Sequence, residues 1–205
     1  PTVTGTTPPT DTPTPTGTTA PTDTPLPTNT PLPGGGVTGG VSNGFVLTPP
    51  TFDSSFNEAE WDDQQRIDAP GIGTVLFMND TNNLYLLVDV VADTGNDPIT
   101  NDGSGDTIEL LFDVNADGNA DARYEPTQGI DRLQLVFEQA GAEEQLSDSG
   151  QVAAHFAPSS NSDTPPRIWE FAIPLTELGI EAGPTINMQV NVASLQPAIS
   201  EQIGP

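Results

Sequence analysis

This sequence predicts an all-β protein: an antiparallel β-sandwich of jelly-roll or immunoglobulin-like type, behind a disordered or extended Pro/Thr-rich N-terminal tail. Three observations carry the prediction. Apolar residues recur at every second position rather than at helical spacing. Clusters of Gly, Asn and Asp interrupt the apolar runs at strand-length intervals. No helical pattern exceeds a turn or two.

Residues 1–33 hold 10 Pro and 14 Thr, too few apolar side chains to offset the entropy of ordering a backbone. Such a segment favours extended polyproline II, with a reach of about 100 Å at ~3.1 Å per residue. It serves as a tether whose threonines are candidate O-glycosylation sites. The chain starts at Pro1, as a processed N-terminus or an excised fragment would. Residues 34–49 form a Gly-rich joint and a candidate edge or donor strand. Residues 50–205 are enough for one sizeable core.

Within that domain Val75 to Met78 and Leu84 to Val91 flank the turn Asn79-Asp80-Thr81-Asn82-Asn83, which reads as a hairpin. Thr107 to Val114 alternates Ile108, Leu110 and Phe112 against Glu109, Leu111 and Asp113. Ile130 to Glu138 sets Leu133, Leu135 and Phe137 on one face. Gln151 to Ala157 is a further strand. Arg167 to Ile173 places Trp169, Phe171 and Ile173 together, and Ile186, Met188, Val190 and Val192 line the last strand. Pro174 to Gly179 is the one expected helical turn, closed by Gly179.

Composition excludes several function classes. The chain has four arginines, no lysine and 29 carboxylates, a formal charge of −25. That charge repels nucleic-acid phosphates and anionic lipid surfaces, and no apolar run is long enough to span a membrane. Without cysteine there are no disulfides, thiol catalysis or thiolate metal sites. His155, the single histidine, reads as a structural strand residue. Carboxylate pairs such as Glu58 with Glu60, or Asp62 with Asp63, are too common in so acidic a chain to mark a hydrolase. The protein is expected not to be an enzyme.

The strongest chemical motif runs from Asp113 to Asp121. Asp113, Asn115 and Asp117 stand at positions 1, 3 and 5 before Gly118, with Asn119 and Asp121 following. Alternate oxygen side chains on a curling backbone suit Ca²⁺, which takes six to eight oxygens at about 2.3–2.6 Å. Position 12 is Tyr124 rather than the bidentate Glu of an EF-hand, so this is a calcium loop on a strand connection, with Glu125 in reserve. A second acidic loop, with Asp93, Asn96, Asp97, Asp102 and Asp106, is the weaker calcium candidate. Once Asp11 and Asp23 of the tail are set aside, 27 acids face the four arginines, a net −23. Divalent ions offset that repulsion and cross-link strand ends. Asn79-Asp80-Thr81 is an N-glycosylation sequon in an expected surface turn.

Phe52-Asp53, Glu60-Trp61, Leu84 to Val88 with Asp93, Asp106 to Asp113, and Trp169 to Gly179 form an ordered series. Over residues 50–195 this series resembles the family-9 carbohydrate-binding modules and the wider DOMON-like sandwiches. The Ile173-Pro174-Leu175 to Leu178-Gly179 block is its most specific piece. The resemblance implies a secreted β-sandwich with bound calcium, joined to enzymes or surface proteins through Pro/Thr linkers. Sugar-binding members of that family grip a glycan end between exposed tryptophans. Here Trp61 and Trp169 fall at scaffold positions, and Tyr85 and Tyr124 are the remaining aromatic candidates for a stacking face.

Two functions follow. The first is an extracellular structural subunit of a fibre, stalk or surface layer, partnered by copies of itself or by cell-surface proteins, with Val37 to Thr48 pairing against a neighbour's sheet edge. The second is a polysaccharide-binding module tethered to a cell wall or glycoside-active enzyme.

Overall fold

The computed structural model describes residues 1–2, 40–41, 44–45, 48–52, 60–61, 65–100, 104–180 and 186–203. Most of the tail, together with Glu58, Asp62, Asp63 and Asp102, lies outside the described residues. Among those described there are thirteen strands and no helix. They are β1 (Gly40–Val41), β2 (Gly44–Phe45), β3 (Gln65–Ala69), β4 (Gly73–Asn79), β5 (Asn83–Val90), β6 (Thr107–Asp113) and β7 (Ala122–Gln128), then β8 (Leu133–Gln139), β9 (Gln145–Leu146), β10 (Gln151–Phe156), β11 (Arg167–Pro174), β12 (Ile186–Leu195) and β13 (Ala198–Ile203).

The strands form a two-sheet sandwich. One sheet runs β1-β12-β6-β7-β8-β9, with β13 also against β12; the other runs β10-β11-β5-β4-β2, with β3 also against β4. All pairings are antiparallel except β2 with β4. Inner faces meet in one core, where Leu86, Val88, Phe171 and Trp169 oppose Leu110, Phe112, Tyr124 and Val190. Tyr124 sits edge-on to Phe112 at 5.7 Å and stacks on Phe137 at 5.5 Å.

The outer faces differ. On the β10-β11-β5-β4 sheet, Leu76, Met78, Tyr85, Leu87, Ile168 and Ala172 form a second apolar cluster, covered by Trp61 with Phe52 packed against it. Strands β4, β5 and β11 are therefore buried on both faces, which is why their sequences read as continuous apolar runs. On the other sheet the outer face is largely polar, with Leu111, Ala120 and Ala140 as a small apolar patch.

The expected hairpin is present. Asp80 Oδ1 accepts hydrogen bonds from the amides of Asn82 and Asn83 at 2.7 and 2.8 Å, closing the turn between β4 and β5. The turn after β11 ends as expected: Ile180 N–H donates to Leu175 O and Gly179 N–H to Thr176 O, with Gly179 at φ 69°. This is the Schellman arrangement around a left-handed glycine.

Four expectations need correction. Ile130 is fully exposed and the strand begins at Leu133, because residues 129–132 form the tight turn in which Gly129 N–H donates to Arg132 O. The described parts of the Val37 to Thr48 segment pair within their own chain. Gly40 and Val41 lie against Asn187 and Ile186, and Gly44 and Phe45 against Met78 and Asn79, so in this chain they are edge strands at the ends of its own two sheets. Asn79 is not at the surface: it is 3% exposed, in β4, and its amide donates to Asp80 O at 2.8 Å. Tyr85 and Tyr124 are 3% and 0% exposed, so neither offers a stacking face.

Candidate functional site

The loop between β6 and β7 is drawn together by its own carboxylates. Asp113, at the end of β6, is fully buried and accepts from Asp117 N–H at 3.2 Å, Gly118 N–H at 2.9 Å and the Asn187 amide at 3.0 Å. Asp121 accepts from Val114 N–H at 2.9 Å and the Asn115 amide at 3.0 Å. Asn115 Oδ1 takes Asp117 N–H, and Asp117 Oδ1 takes Asn119 N–H. Gly118, at φ 87°, and Ala116, at φ 58°, make the curl. All five predicted residues are thus gathered on one connection, and their side chains offer hard oxygen donors. That donor chemistry fits Ca²⁺. Among the described residues, however, no three or more acidic or imidazole groups converge closely enough to form a ready-made metal site.

The second acidic loop is organised around an arginine. Arg167, at the start of β11, donates from Nε and Nη2 to Asp106 Oδ2 at 2.9 and 2.5 Å, and from Nη2 to Asp97 O at 2.8 Å. Its guanidinium lies 4.0 Å over the ring of Phe156, and Asp93 Oδ2 is 4.0 Å from Nε. Ser194 Oγ reaches toward Asp93 and Asp97 at 3.4 Å each. Of the five predicted residues, Asp93, Asp97 and Asp106 meet here, and the facing positive charge is Arg167. Burial, and then the neighbouring Asp106, push the Asp93 carboxyl up to about 7, against the pull of Arg167. Sequence reasoning missed Arg167; its position opening an apolar strand in a chain with only four cations was the available signal.

A third polar group lies on the outer face of the covered sheet, where His155, Ile168, Asp89, Thr74 and Asp68 align across β10, β11, β5, β4 and β3. Asp89 is fully buried; its Oδ2 accepts from Ser159 Oγ at 2.5 Å and the Asn161 amide at 2.7 Å, while Oδ1 has no hydrogen-bond partner. Burial raises its pKa despite those bonds and the nearby Arg66.

Among the described residues, two solvent-facing polar surfaces differ in how their side chains are engaged. On the outer face of the β12-β6-β7-β8 sheet the groups satisfy one another: Gln189 donates to Asn191 at 2.8 Å, Asn191 to Glu109 at 2.6 Å, and Arg123 to Glu138 at 2.5 Å. At the sandwich edge, β8, β9 and β10 enclose a cleft of about 480 Å³. Phe52, Leu133 and Leu146 contribute apolar surface to it, and Arg132, Gln134 and Gln151 contribute polar heads.

Trp61 and Trp169 are buried, at 4% and 1% exposure, as scaffold positions require. No described helix is long and apolar enough to cross a membrane.

Against known proteins, the model of the carbohydrate family 9 binding domain-like family matches residues 51–199. A solved structure of a carbohydrate binding module family 9 from Caldicellulosiruptor kristjanssonii, in complex with cellotriose, is 14% identical. It aligns over 78% of this chain and 82% of its own, with a TM-score of 0.46. No curated relative matches the sequence.

Proposed function

The chain belongs to the carbohydrate family 9 binding domain-like family, and from that membership we propose that it is a non-catalytic carbohydrate-binding module acting outside the cell. The match over residues 51–199, nearly the whole sandwich, is the observation that carries this reading. The Pro/Thr-rich composition of residues 1–33 suits a tether for such a module. Binding needs no proton transfer, which accords with a single exposed histidine and with buried carboxylates engaged in fold-holding bonds.

Calcium belongs to the proposal as a structural ion. Asp113, Asn115, Asp117, Asn119 and Asp121 would hold it, joining the ends of β6 and β7 where clustered acids otherwise repel. At the second loop Arg167 already supplies one positive charge, and Thr100 Oγ1 and Asp106 Oδ1 are the buried oxygens left without hydrogen-bond partners.

The fibre-subunit expectation is not carried forward, because the family match supports the binding reading instead. Affinity electrophoresis of the chain through gels containing soluble polysaccharides tests the binding reading. Retardation by at least one polysaccharide, with no release of reducing ends, is the expected result. Uniform migration through every gel, or hydrolysis of a retarding polymer, contradicts it.

A further inference from the structure

We propose that the edge cleft between β8, β9 and β10 is the ligand site, and that its ligand is a neutral glycan chain bound without an aromatic sandwich. This rests on the carbohydrate-binding reading and adds to it a location and a sugar class.

The argument starts from which polar side chains remain available. On the broad outer face of the β12-β6-β7-β8 sheet, Gln189, Asn191, Glu109, Arg123 and Glu138 are already bonded to one another. A ligand there has to break protein hydrogen bonds before it makes its own. At the edge cleft, the side chains of Arg132, Gln134 and Gln151 have no hydrogen-bond or ion-pair partner among the described residues. The other three arginines each hold a carboxylate: Arg66 with Asp68, Arg123 with Glu138 and Arg167 with Asp106. In a chain of net charge −25, an arginine with no carboxylate within ion-pair distance among the described residues keeps its planar fork of donors for another partner.

The cleft also carries the apolar surface a sugar ring requires. Phe52, packed edge-on to Tyr85 at 6.4 Å, lines it together with Leu133 and with Leu146, which is 53% exposed. A pyranose presents apolar C–H faces and a rim of hydroxyls, so an apolar patch beside a guanidinium and two amides matches both. The volume, about 480 Å³, falls within the roughly 300–1,000 Å³ of small-ligand sites.

Charge sets the class. Asp148 also lines the cleft and offsets Arg132, so the site is close to neutral, while the field of the whole molecule repels anions. Uronate-rich polymers are therefore disfavoured and neutral glycans accepted.

Isothermal titration tests this with the full chain against soluble cello-, xylo-, manno- and laminari-hexaose and against polygalacturonate. Arg132→Ala and Gln151→Ala, both at solvent-facing positions, are compared with Glu201→Gln on β13, away from the cleft. The expected result is binding of at least one neutral hexasaccharide. Arg132→Ala and Gln151→Ala each weaken it about tenfold or more, as loss of a ligand hydrogen bond implies. Glu201→Gln leaves affinity unchanged, and all three variants keep the native melting temperature. Unaltered affinity in both cleft variants overturns the location and leaves the carbohydrate-binding reading standing. Preference for polygalacturonate overturns the neutral class. No heat with any glycan overturns this proposal together with the reading beneath it.

Discussion

Arg167 lies against Asp106, over the ring of Phe156 and beside Asp93, with 6% of its side chain exposed. Removing it leaves buried carboxylates without their counter-charge. Arg167→Met is expected to cost about 3–5 kcal/mol, the usual range for breaking one side of a buried pair, as read from urea unfolding. Asp89 behaves differently, because burial raises its pKa in the folded chain. The unfolded chain then loses this proton at lower pH than the folded chain does. The stability Asp89 contributes is complete below the ordinary carboxylate range and is lost as pH rises through the raised value. Arg66, Asp68 and His155 share that face, so the variant, not the raw profile, isolates the effect. In calorimetry from pH 4 to 8, the wild-type advantage in melting temperature over Asp89→Asn should be largest at the acid end and shrink toward neutrality. A constant difference would contradict the assignment. The residue-scale miss in the sequence was tertiary burial. Asn79 looked like a surface sequon and Tyr85 like a free aromatic; no local pattern shows that Asn79 ends β4 opposite the core residue Leu84, or that Phe52 and Trp61 fold over the face that carries Tyr85.

Elements were legible where apolar residues alternate or run on without a break, as the continuous apolar runs of β4, β5 and β11 also show. β6 and β12 alternate in sequence as in space, and the turn at Asp80 and the stop at Gly179 follow from Asx and glycine chemistry. β7 was not among the expected strands, since Arg123, Glu125 and Pro126 leave it little apolar alternation. Pro126 is tolerated because its pairing is with Leu135 of β8, beyond the Leu110 to Phe112 stretch of β6 that pairs with Tyr124 to Ala122. β3 and β13, short and mostly exposed, carry too little apolar signal to stand out. The Schellman turn can be tested directly. A Cβ at Gly179 meets nothing within 4 Å, so Gly179→Ala should cost only the strain of a left-handed backbone, about 1 kcal/mol. Gly73→Ala should cost considerably more, because its Cβ would run into the Asp89 carbonyl. The β6–β7 loop makes a metal-dependent prediction. Calcium at a hundredfold excess over Kd should stabilise the chain by about 2.7 kcal/mol. Asp113→Ala should abolish the calcium-induced rise in melting temperature, and a rise that persists in this variant would place the ion elsewhere.

At the scale of the whole molecule, the excess of acids is spread over a cysteine-free sandwich whose order comes from a two-layer core and from buried ionic bonds. Charge and composition point away from nucleic-acid phosphates and the sequence holds no thiol, and the order of strand motifs was enough to indicate the family. They could not locate the ligand site, which is assembled from Phe52, β8, β9 and β10, segments about a hundred residues apart at the extremes. Self-repulsion at this net charge predicts a melting temperature that rises with monovalent salt between about 10 and 150 mM, where the Debye length falls from about 30 to 8 Å. The claim that this is a carbohydrate-binding module meets its most direct test in amide chemical shifts of the ¹⁵N-labelled full chain, recorded while neutral oligosaccharides are added. Concentration-dependent shifts centred on residues 132–134 and 146–152 are the predicted result, and a spectrum unmoved by every glycan would contradict it.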